Sequence, residues 1–178
     1  MQRFSLSRAA AFLVLLFAAA PLAAAEAAPA ADPADVASID AIMGAVYDVI
    51  SGEAGEARDW DRMRSLFIDG ARLIPRAPQN PNGAVVWSVE DYIANAGPNL
   101  ETNGFIEEEI GRHVDQYGDI AQVFSAYAAK RKASDAAPFL RGVNSFQLMK
   151  HEGRWWVVSI YWQAETPDHP IPEEWLDE

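Results

Sequence analysis

The sequence predicts an α+β fold in which a curved antiparallel sheet of four long strands, plus short strands, wraps around three helices and forms a conical pocket. Three short segments with helical periodicity come first in the chain. From Phe105 to Gln163 the helical period is replaced by consecutive strand-like runs separated by turn signals, and the last run is rich in tryptophan and tyrosine. Helices followed by a series of strands are typical of α+β domains.

Residues 1–25 have the features of a signal peptide. Arg3 and Arg8 provide a basic start, an apolar run follows, and small residues stand at Ala23 and Ala25. The apolar run is short for a membrane span, so we expect cleavage after Ala25, export to the periplasm or the medium, and no stable membrane insertion afterwards. An uncleaved anchor is the alternative.

The charge of the chain excludes several classes of partner. Removal of Arg3 and Arg8 from the 14 basic residues leaves 12 against 26 acidic ones, a net charge of −14 for the processed chain. Such a surface repels nucleic acids and anionic membranes, so neither is an expected partner. The chain has no cysteine and therefore no disulfide bond, and its stability must come from the core.

Two helices are predicted before the first strand. An aspartate N-cap and a first-turn proline at Asp32-Pro33 start the first helix, which ends near Gly52. Its apolar face has three- and four-residue spacing and consists of Val36, Ile39, Met43, Val46 and Ile50. The second helix runs from Asp59 to a stop at Gly70, and its apolar face consists of Trp60, Met63 and Phe67.

A third helix is predicted from the segment 88–91, where a serine and an aspartate three residues apart have the pattern of a capping box. The helix contains Tyr92 and Ile93, and Gly97-Pro98 is expected to close it. Short strands are predicted on either side of the loop that precedes it, at 71–75 and 83–87.

The four long strands are delimited by their turns. Residues 117–119 (Tyr-Gly-Asp) and 151–153 (His-Glu-Gly) are tight-turn signals, and residues 132–138 form a longer loop between the middle two strands. Residues 35–165 are thus predicted to form one domain, preceded by a flexible lead at 26–34 and followed by an extended, proline-punctuated tail at 166–178 that docks through its tryptophan.

This order of elements resembles the NTF2-like (SnoaL-like, cystatin-like α+β) superfamily, and in particular its exported bacterial members of unassigned function. The segments that carry the resemblance are Trp60–Phe67 leading into Ala71–Leu73, Tyr117–Val123, Arg141–Leu148 and Gly153–Trp162. The resemblance implies a conical pocket between the helices and the sheet. It does not select a function, because the superfamily includes isomerases, dehydratases, polyketide cyclases, transport factors and binding modules.

The last strand is predicted to be apolar on both faces. Regular alternation places Trp156, Val158, Ile160 and Trp162 on one face and Trp155, Val157, Ser159, Tyr161 and Gln163 on the other. Both faces should therefore be covered, and the resemblance implies that one lines the pocket while the other pairs with a second subunit, so we expect a homodimer. The alternative is that the outer face is covered by the tail of the chain itself.

His113 is the only histidine within a strand pattern. On a regular strand it shares a face with Glu107, Glu109 and Asp115, and such a face could supply a histidine base oriented by a carboxylate. His113 and Asp115 are accordingly the predicted catalytic pair. The alternatives are a solvated acidic face, or a bulge at Gly111 that resets the alternation.

Five side chains form the predicted ligand-binding set, namely Tyr127, Asn144, Trp162, Ser125 and Arg141. Tyr127 and Ser125 share one face of their strand, and Asn144 is a polar group on an otherwise apolar face, so these residues could hydrogen-bond a ligand in an apolar cone. They could also be core polar groups satisfied by the protein. Arg141 could hold an anionic ligand or pair with one of the many carboxylates.

These observations leave three hypotheses for function. The first is an exported domain that binds a small, mostly apolar molecule in its cone. The second is a lyase or isomerase that uses His113 as a general base and needs no cofactor. The third is a protein-interaction module that uses the outer sheet face. No metal site is predicted, because the three histidines lack metal-ligand spacing.

Overall fold

A computed structural model describes residues 29–76, 80 and 83–176, so the predicted signal peptide lies outside the described residues. The helices are α1 (Ile39–Ile50), α2 (Trp60–Leu66) and α3 (Val89–Asn103). The strands are β1 (Phe67–Pro75), β2 (Ile106–Tyr117), β3 (Ile120–Lys130), β4 (Leu140–His151) and β5 (Arg154–Ala164). Short 3-10 turns stand at Pro33–Val36 and Glu173–Trp175. The predicted α+β class is confirmed.

The five strands form one sheet in the order β1-β5-β4-β3-β2. The four long strands pair antiparallel as predicted, while β1 pairs parallel with β5. The predicted short strand at 83–87 is reduced to a single bridge between Trp87 and Leu73. The helices lie on one face of the sheet, and the largest buried side chains of the core come from both layers, among them Ile42, Met63, Leu66 and Phe146.

The first predicted helix is divided in two. Asp32 caps a 3-10 turn by accepting a hydrogen bond from the Ala34 backbone N–H at 2.8 Å. Ser38 then caps α1 by accepting from the Ala41 backbone N–H at 3.0 Å. Serine competes for backbone donors in this way because its hydroxyl is close to the main chain. The apolar face of α1 is nevertheless buried as predicted.

The prediction that α3 closes at Gly97-Pro98 is wrong, because the helix continues to Asn103. The capping box between Ser88 and Asp91 is confirmed. Gly97 allows close packing instead of a stop: a Cβ atom there would lie 3.0 Å from Cζ2 of Trp60. The helix ends where Gly104 adopts a φ of +70°, a conformation that favours glycine.

A bulge in β2 divides the acidic face that the sequence predicted. Glu109 pairs with Tyr127 and Gly111 with Ala126, so Ile110 has no cross-strand partner. One extra residue exchanges the two faces of a strand beyond the bulge. Glu107 and Glu109 therefore face the core, whereas the predicted pair of His113 and Asp115 lies opposite outer-face residues of β3.

A second bulge changes the faces of β5. Ser159 pairs with Gln147 and Val157 with Leu148, which leaves Val158 without a partner. The predicted division of this strand is therefore wrong for its first half. The core-facing side consists of Trp155, Val157, Ile160 and Trp162, and Trp156 moves to the outer face with Ser159, Tyr161 and Gln163.

The C-terminal tail packs on the outer face of the sheet. The Trp175 ring stacks on Phe124 of β3, with centroids 4.8 Å apart and an interplanar angle of 14°. Ile171 is buried, and its backbone N–H donates to Glu165 at 3.0 Å. The tail thus covers part of the surface at which we predict a second subunit, while Tyr161 remains 46% exposed. Within the described residues, no helix is both long and apolar enough to cross a membrane.

Candidate functional site

A cavity of about 290 Å³ lies between the helices and the core-facing side of the sheet. Most of its wall is apolar, with side chains such as Val46, Met63, Leu100, Phe146 and Ile160. Five of its lining residues carry a hydroxyl, amide or carboxyl group, namely Tyr47, Tyr92, Glu107, Tyr127 and Asn144. An apolar cavity with a few convergent polar groups is the usual form of a small-molecule site.

Glu107 is the carboxyl group of this cavity, and neighbouring elements fix its position. The Glu107 backbone N–H donates to the Ser51 hydroxyl at the end of α1 at 3.0 Å. Asn144 Nδ2 donates to Glu107 Oε1 at 3.0 Å. Burial raises the pKa of Glu107 to about 7, and the hydrogen bond from Asn144 opposes the increase. The carboxyl group can therefore gain or lose a proton near neutral pH.

A chain of hydrogen bonds orients the Asn144 amide. The same Nδ2 atom donates to the Tyr47 hydroxyl at 3.1 Å, and Tyr47 Oη lies 2.7 Å from Ser125 Oγ. Ser125 donates to Glu109, which accepts a further bond from Arg112 Nε at 2.5 Å. Since the serine proton is directed to Glu109, the Tyr47 hydroxyl donates to Ser125 and accepts from Asn144. The network thus keeps one N–H of the Asn144 amide directed at Glu107 while the other donates to Tyr47.

Tyr92 and Tyr127 contribute two further hydroxyl groups to the cavity. Neither hydroxyl has a hydrogen-bond partner among the described residues. Both hydroxyl oxygens retain some accessible surface, so neither is a fully buried atom without a partner. Burial, and next the negative charge of Glu107, raise the pKa of both phenols well above the usual range. Both are therefore neutral donors at physiological pH, available to an acceptor in the cavity.

On the cavity wall, the Tyr92 ring makes edge-to-face contacts with two tryptophan rings. The ring centroids of Trp87 and Tyr92 are 6.3 Å apart with an interplanar angle of 68°. Those of Tyr92 and Trp162 are also 6.3 Å apart, at 80°. Such edge-to-face contacts are favourable for aromatic pairs. We call Trp87, Tyr92 and Trp162 the aromatic corner.

The predicted catalytic pair lies away from this cavity. His113 Nε2 is 3.2 Å from Asp115 Oδ2, and their side chains are 51% and 75% exposed. Neither His113 nor Asp115 is among the described residues that line this cavity. The two residues lie near each other as predicted, but the β2 bulge places them on the outer face, where they cannot reach a ligand in the cone.

The predicted ligand-binding residues are distributed over three places. Tyr127, Asn144 and Trp162 lie on the cavity wall. Ser125 lies behind the wall, bonded to Tyr47 and Glu109 as described above. Arg141 lies apart from the cone, and its Nη1 atom is 3.4 Å from Glu165 Oε2, so it makes the ion pair that was the alternative. Ligand binding by any of them remains a prediction.

Two residues at the polar end of the cavity, Glu107 and Tyr47, are not among the predicted site residues. Glu107 is predicted only to share a strand face with His113, and no role is predicted for Tyr47. One sequence signal indicates that Glu107 is buried. It follows Phe105 and Ile106 at the start of the first long strand, and these two apolar residues lie on opposite faces of that strand. Tyr47 follows Met43 at helical spacing, which places it on the buried face of α1.

A second, larger cavity of about 770 Å³ lies on the outer side of the sheet, beneath the tail. Phe124, Tyr161, Glu165 and Trp175 are among the residues that line it. Within the described residues, no cluster of three or more histidine and acidic side chains could hold a metal ion.

No protein-family model matches the sequence, and no curated protein matches it. Solved structures match its fold. A protein of unknown function with a cystatin-like fold from Nostoc punctiforme PCC 73102 has a TM-score of 0.55 and 14% identity, over 75% of this chain and 92% of that chain. An NTF2-like protein of unknown function from Silicibacter pomeroyi DSS-3 has a TM-score of 0.51 and 16% identity, over 71% and 92%.

A third match, an NTF2-like protein of unknown function from Pseudomonas putida KT2440, has a TM-score of 0.50 and 17% identity, over 71% of this chain and 82% of that chain. Identities this low establish a common fold and leave activity open. The described sheet of this chain is open, with β1 and β2 at its two edges, and it lies against the helices. The chain therefore has the NTF2-like, cystatin-like fold that its sequence resembles.

Proposed function

We propose that this protein, exported by its N-terminal signal, binds a small and mostly apolar molecule in the cone. The observation that carries the proposal is the cavity of about 290 Å³, whose apolar wall encloses a few polar groups close to Glu107. At about 30 Å³ per water molecule, this volume corresponds to roughly ten waters, and so to a ligand of about ten non-hydrogen atoms. Tyr92 and Tyr127 would fix the orientation of such a ligand through their free hydroxyls.

The contrast between the hydrogen-bonded polar groups of the wall and its two free tyrosine hydroxyls supports ligand binding over a purely structural role. Asn144, Tyr47 and Ser125 satisfy one another and Glu109, so they rigidify the wall. In contrast, the Tyr92 and Tyr127 hydroxyls have no bond to any described residue and gain one when a ligand acceptor enters. A cavity built only for packing would not place free donors on its surface.

Replacement of Ala96 with phenylalanine should weaken ligand binding at least about tenfold, because Ala96 lines the cavity and a larger side chain fills part of it. The matched control is Ala94→Phe, since Ala94 lies on the same helix but is exposed to solvent. Naphthalene, uncharged and of the expected size, is a suitable probe, with its affinity measured by isothermal titration calorimetry. Equal affinity of the two variants, or no binding by the wild-type protein, would contradict the proposal.

We infer a second candidate function, a cofactor-independent lyase or isomerase, from Glu107. A carboxyl group with a pKa of about 7 can accept a proton from the carbon next to a carbonyl group, and burial supplies this pKa. The neighbouring Tyr127 hydroxyl is a free neutral donor that could hydrogen-bond the carbonyl oxygen as negative charge develops. In this candidate, Glu107 takes the role of general base that is predicted from the sequence for His113.

Deuterium exchange tests this candidate without knowledge of the natural substrate. We expect the protein to accelerate exchange at the acidic carbons of 2-tetralone, a small apolar ketone, in deuterated buffer followed by proton NMR. Glu107→Gln should reduce the protein-dependent rate at least about 100-fold, because the amide cannot accept the proton. His113→Gln should leave the rate unchanged. Loss of exchange in His113→Gln alone would restore the original assignment, and no acceleration by the wild-type protein would remove the candidate.

A further inference from the structure

We propose that the molecule bound in the cone is an organic cation, a small hydrophobic amine or quaternary ammonium compound. The inference rests on the proposed binding function and specifies the class of ligand. Two independent features of the cavity point to it: the charge of its lining, and the arrangement of its aromatic rings.

Among the described residues, the lining of the cavity has a single charged group. Among the described residues that line the cavity there is no lysine, arginine or histidine, and Glu107 is the only acid. Among the described residues, the Glu107 side chain accepts one hydrogen bond, from the neutral amide of Asn144 at 3.0 Å. An anionic ligand would be repelled by this carboxylate, whereas a cation would neutralise it inside a wall of low polarity.

The aromatic corner provides the second feature. A cation is attracted to the faces of aromatic rings, most strongly to tryptophan, and cages of such rings recognise quaternary ammonium groups. In the corner, the Tyr92 ring is nearly perpendicular to both Trp87 and Trp162. Three rings at such angles can surround a rounded alkylammonium group on several sides, whereas parallel rings would fit a flat molecule.

The carboxyl group and the corner belong to the same space. Glu107, Trp87, Tyr92 and Trp162 all line the one cavity, and burial, followed by the charge of Glu107, raises the pKa of the Tyr92 phenol. A ligand of about ten non-hydrogen atoms can therefore contact the aromatic corner while its charge remains within the field of Glu107.

The affinity for a cation should depend on pH, because the charge of Glu107 does. The titratable groups facing it are Tyr47 from α1, Tyr92 from α3 and Tyr127 from β3, all with pKa values held well above the usual range. Asn144 from β4 is uncharged, and Glu109 on the same strand is paired with Arg112. Glu107 is thus the group of this set that changes charge near neutral pH. A cation binds the ionised form, so its affinity should increase about tenfold from pH 6 to pH 8 around a pKa of about 7.

The test compares benzyltrimethylammonium with neopentylbenzene, its uncharged carbon isostere, in calorimetric titrations of the purified protein at pH 8. We expect the cation to bind at least about tenfold more tightly than the isostere. The preference should disappear in Glu107→Gln and persist in Glu108→Gln, a matched change at an exposed neighbour. Trp87→Leu should weaken binding of the cation more than binding of the isostere.

Each outcome of this experiment is informative. Equal or tighter binding of the isostere, or a cation preference that survives Glu107→Gln, would overturn the cation inference while leaving the cone as a binding site. Failure of both probes to bind would overturn the proposed function with it. Loss of the preference at pH 6, with the isostere unaffected, would support the assignment of the charge to Glu107.

Discussion

Replacement of Arg58 with methionine should lower the free energy of unfolding by about 3 kcal/mol or more, since unsatisfied buried acceptors cost about 1–3 kcal/mol each. Arg58 is only 7% exposed. Its guanidinium donates to backbone carbonyls of Ile50 at 3.0 Å, Gly52 at 2.7 Å, Glu56 at 2.6 Å and Leu100 at 3.3 Å. It thus caps the C-terminal end of α1 and joins it to the last turns of α3.

The measurement is urea denaturation followed by tryptophan fluorescence. Arg72→Met is the matched control, because Arg72 is an exposed residue of β1 and its replacement should change stability by less than about 0.5 kcal/mol. A similarly small change in Arg58→Met would show that water takes over the four carbonyl groups. In that case the guanidinium would not be the link between the two helices that form one side of the cone.

Most of the fold is predictable because its signals are local. The capping box at Ser88 is set by residues three positions apart, and the turns at Gly118 and Gly153 require the positive φ angles that glycine adopts there, +57° and +80°. The strands between such turns must pair antiparallel with their neighbours. What sequence alone did not reveal is the parallel pairing of β1 with β5, which depends on contacts between residues about 90 positions apart in the chain.

The errors in the assignment of strand faces have one physical cause. Alternation along a strand has a period of two, so a single unpaired residue reverses every later assignment. Ile110 and Val158 are such residues. The bulge at Ile110 places His113 and Glu107 on opposite faces of β2. The bulge at Val158 exchanges the faces predicted for Trp155 and Trp156 at the start of β5. Gly111 signalled the first bulge, whereas nothing in the apolar run around Val158 marks the second.

The site was predictable only where the strands are regular. β3 and β4 pair without interruption, and for that reason Tyr127 and Asn144, the residues predicted to hydrogen-bond a ligand in the cone, both lie on the cavity wall. Glu107 was not selected, because an acidic residue in an acidic protein is usually on the surface. Its burial is a tertiary property that depends on Asn144 and Tyr47, which lie 97 positions apart from each other in sequence.

Replacement of Glu107 with glutamine should raise the free energy of unfolding by about 3 kcal/mol at pH 8 and leave it nearly unchanged at pH 4.5. Burial raises the pKa of Glu107 in the folded protein from 4.5 to about 7, and this difference corresponds to about 3 kcal/mol. Below pH 4.5 both folded and unfolded chains hold the proton, so no penalty arises. Between pH 4.5 and 7 only the folded chain holds it, and wild-type stability falls as the pH rises.

Above pH 7 both states are ionised and the wild-type protein carries the full cost of a buried charge, which glutamine removes while still accepting a bond from Asn144. Glu108→Gln is the control, because Glu108 is exposed and its replacement should give no comparable dependence on pH. Urea denaturation at pH 4.5, 6 and 8 measures all three proteins. A difference between wild type and Glu107→Gln that does not vary with pH would contradict the prediction. A gain in stability that appears only at higher pH would identify Glu107 as a residue kept at a cost to the fold, as expected of a group that serves a ligand or a reaction.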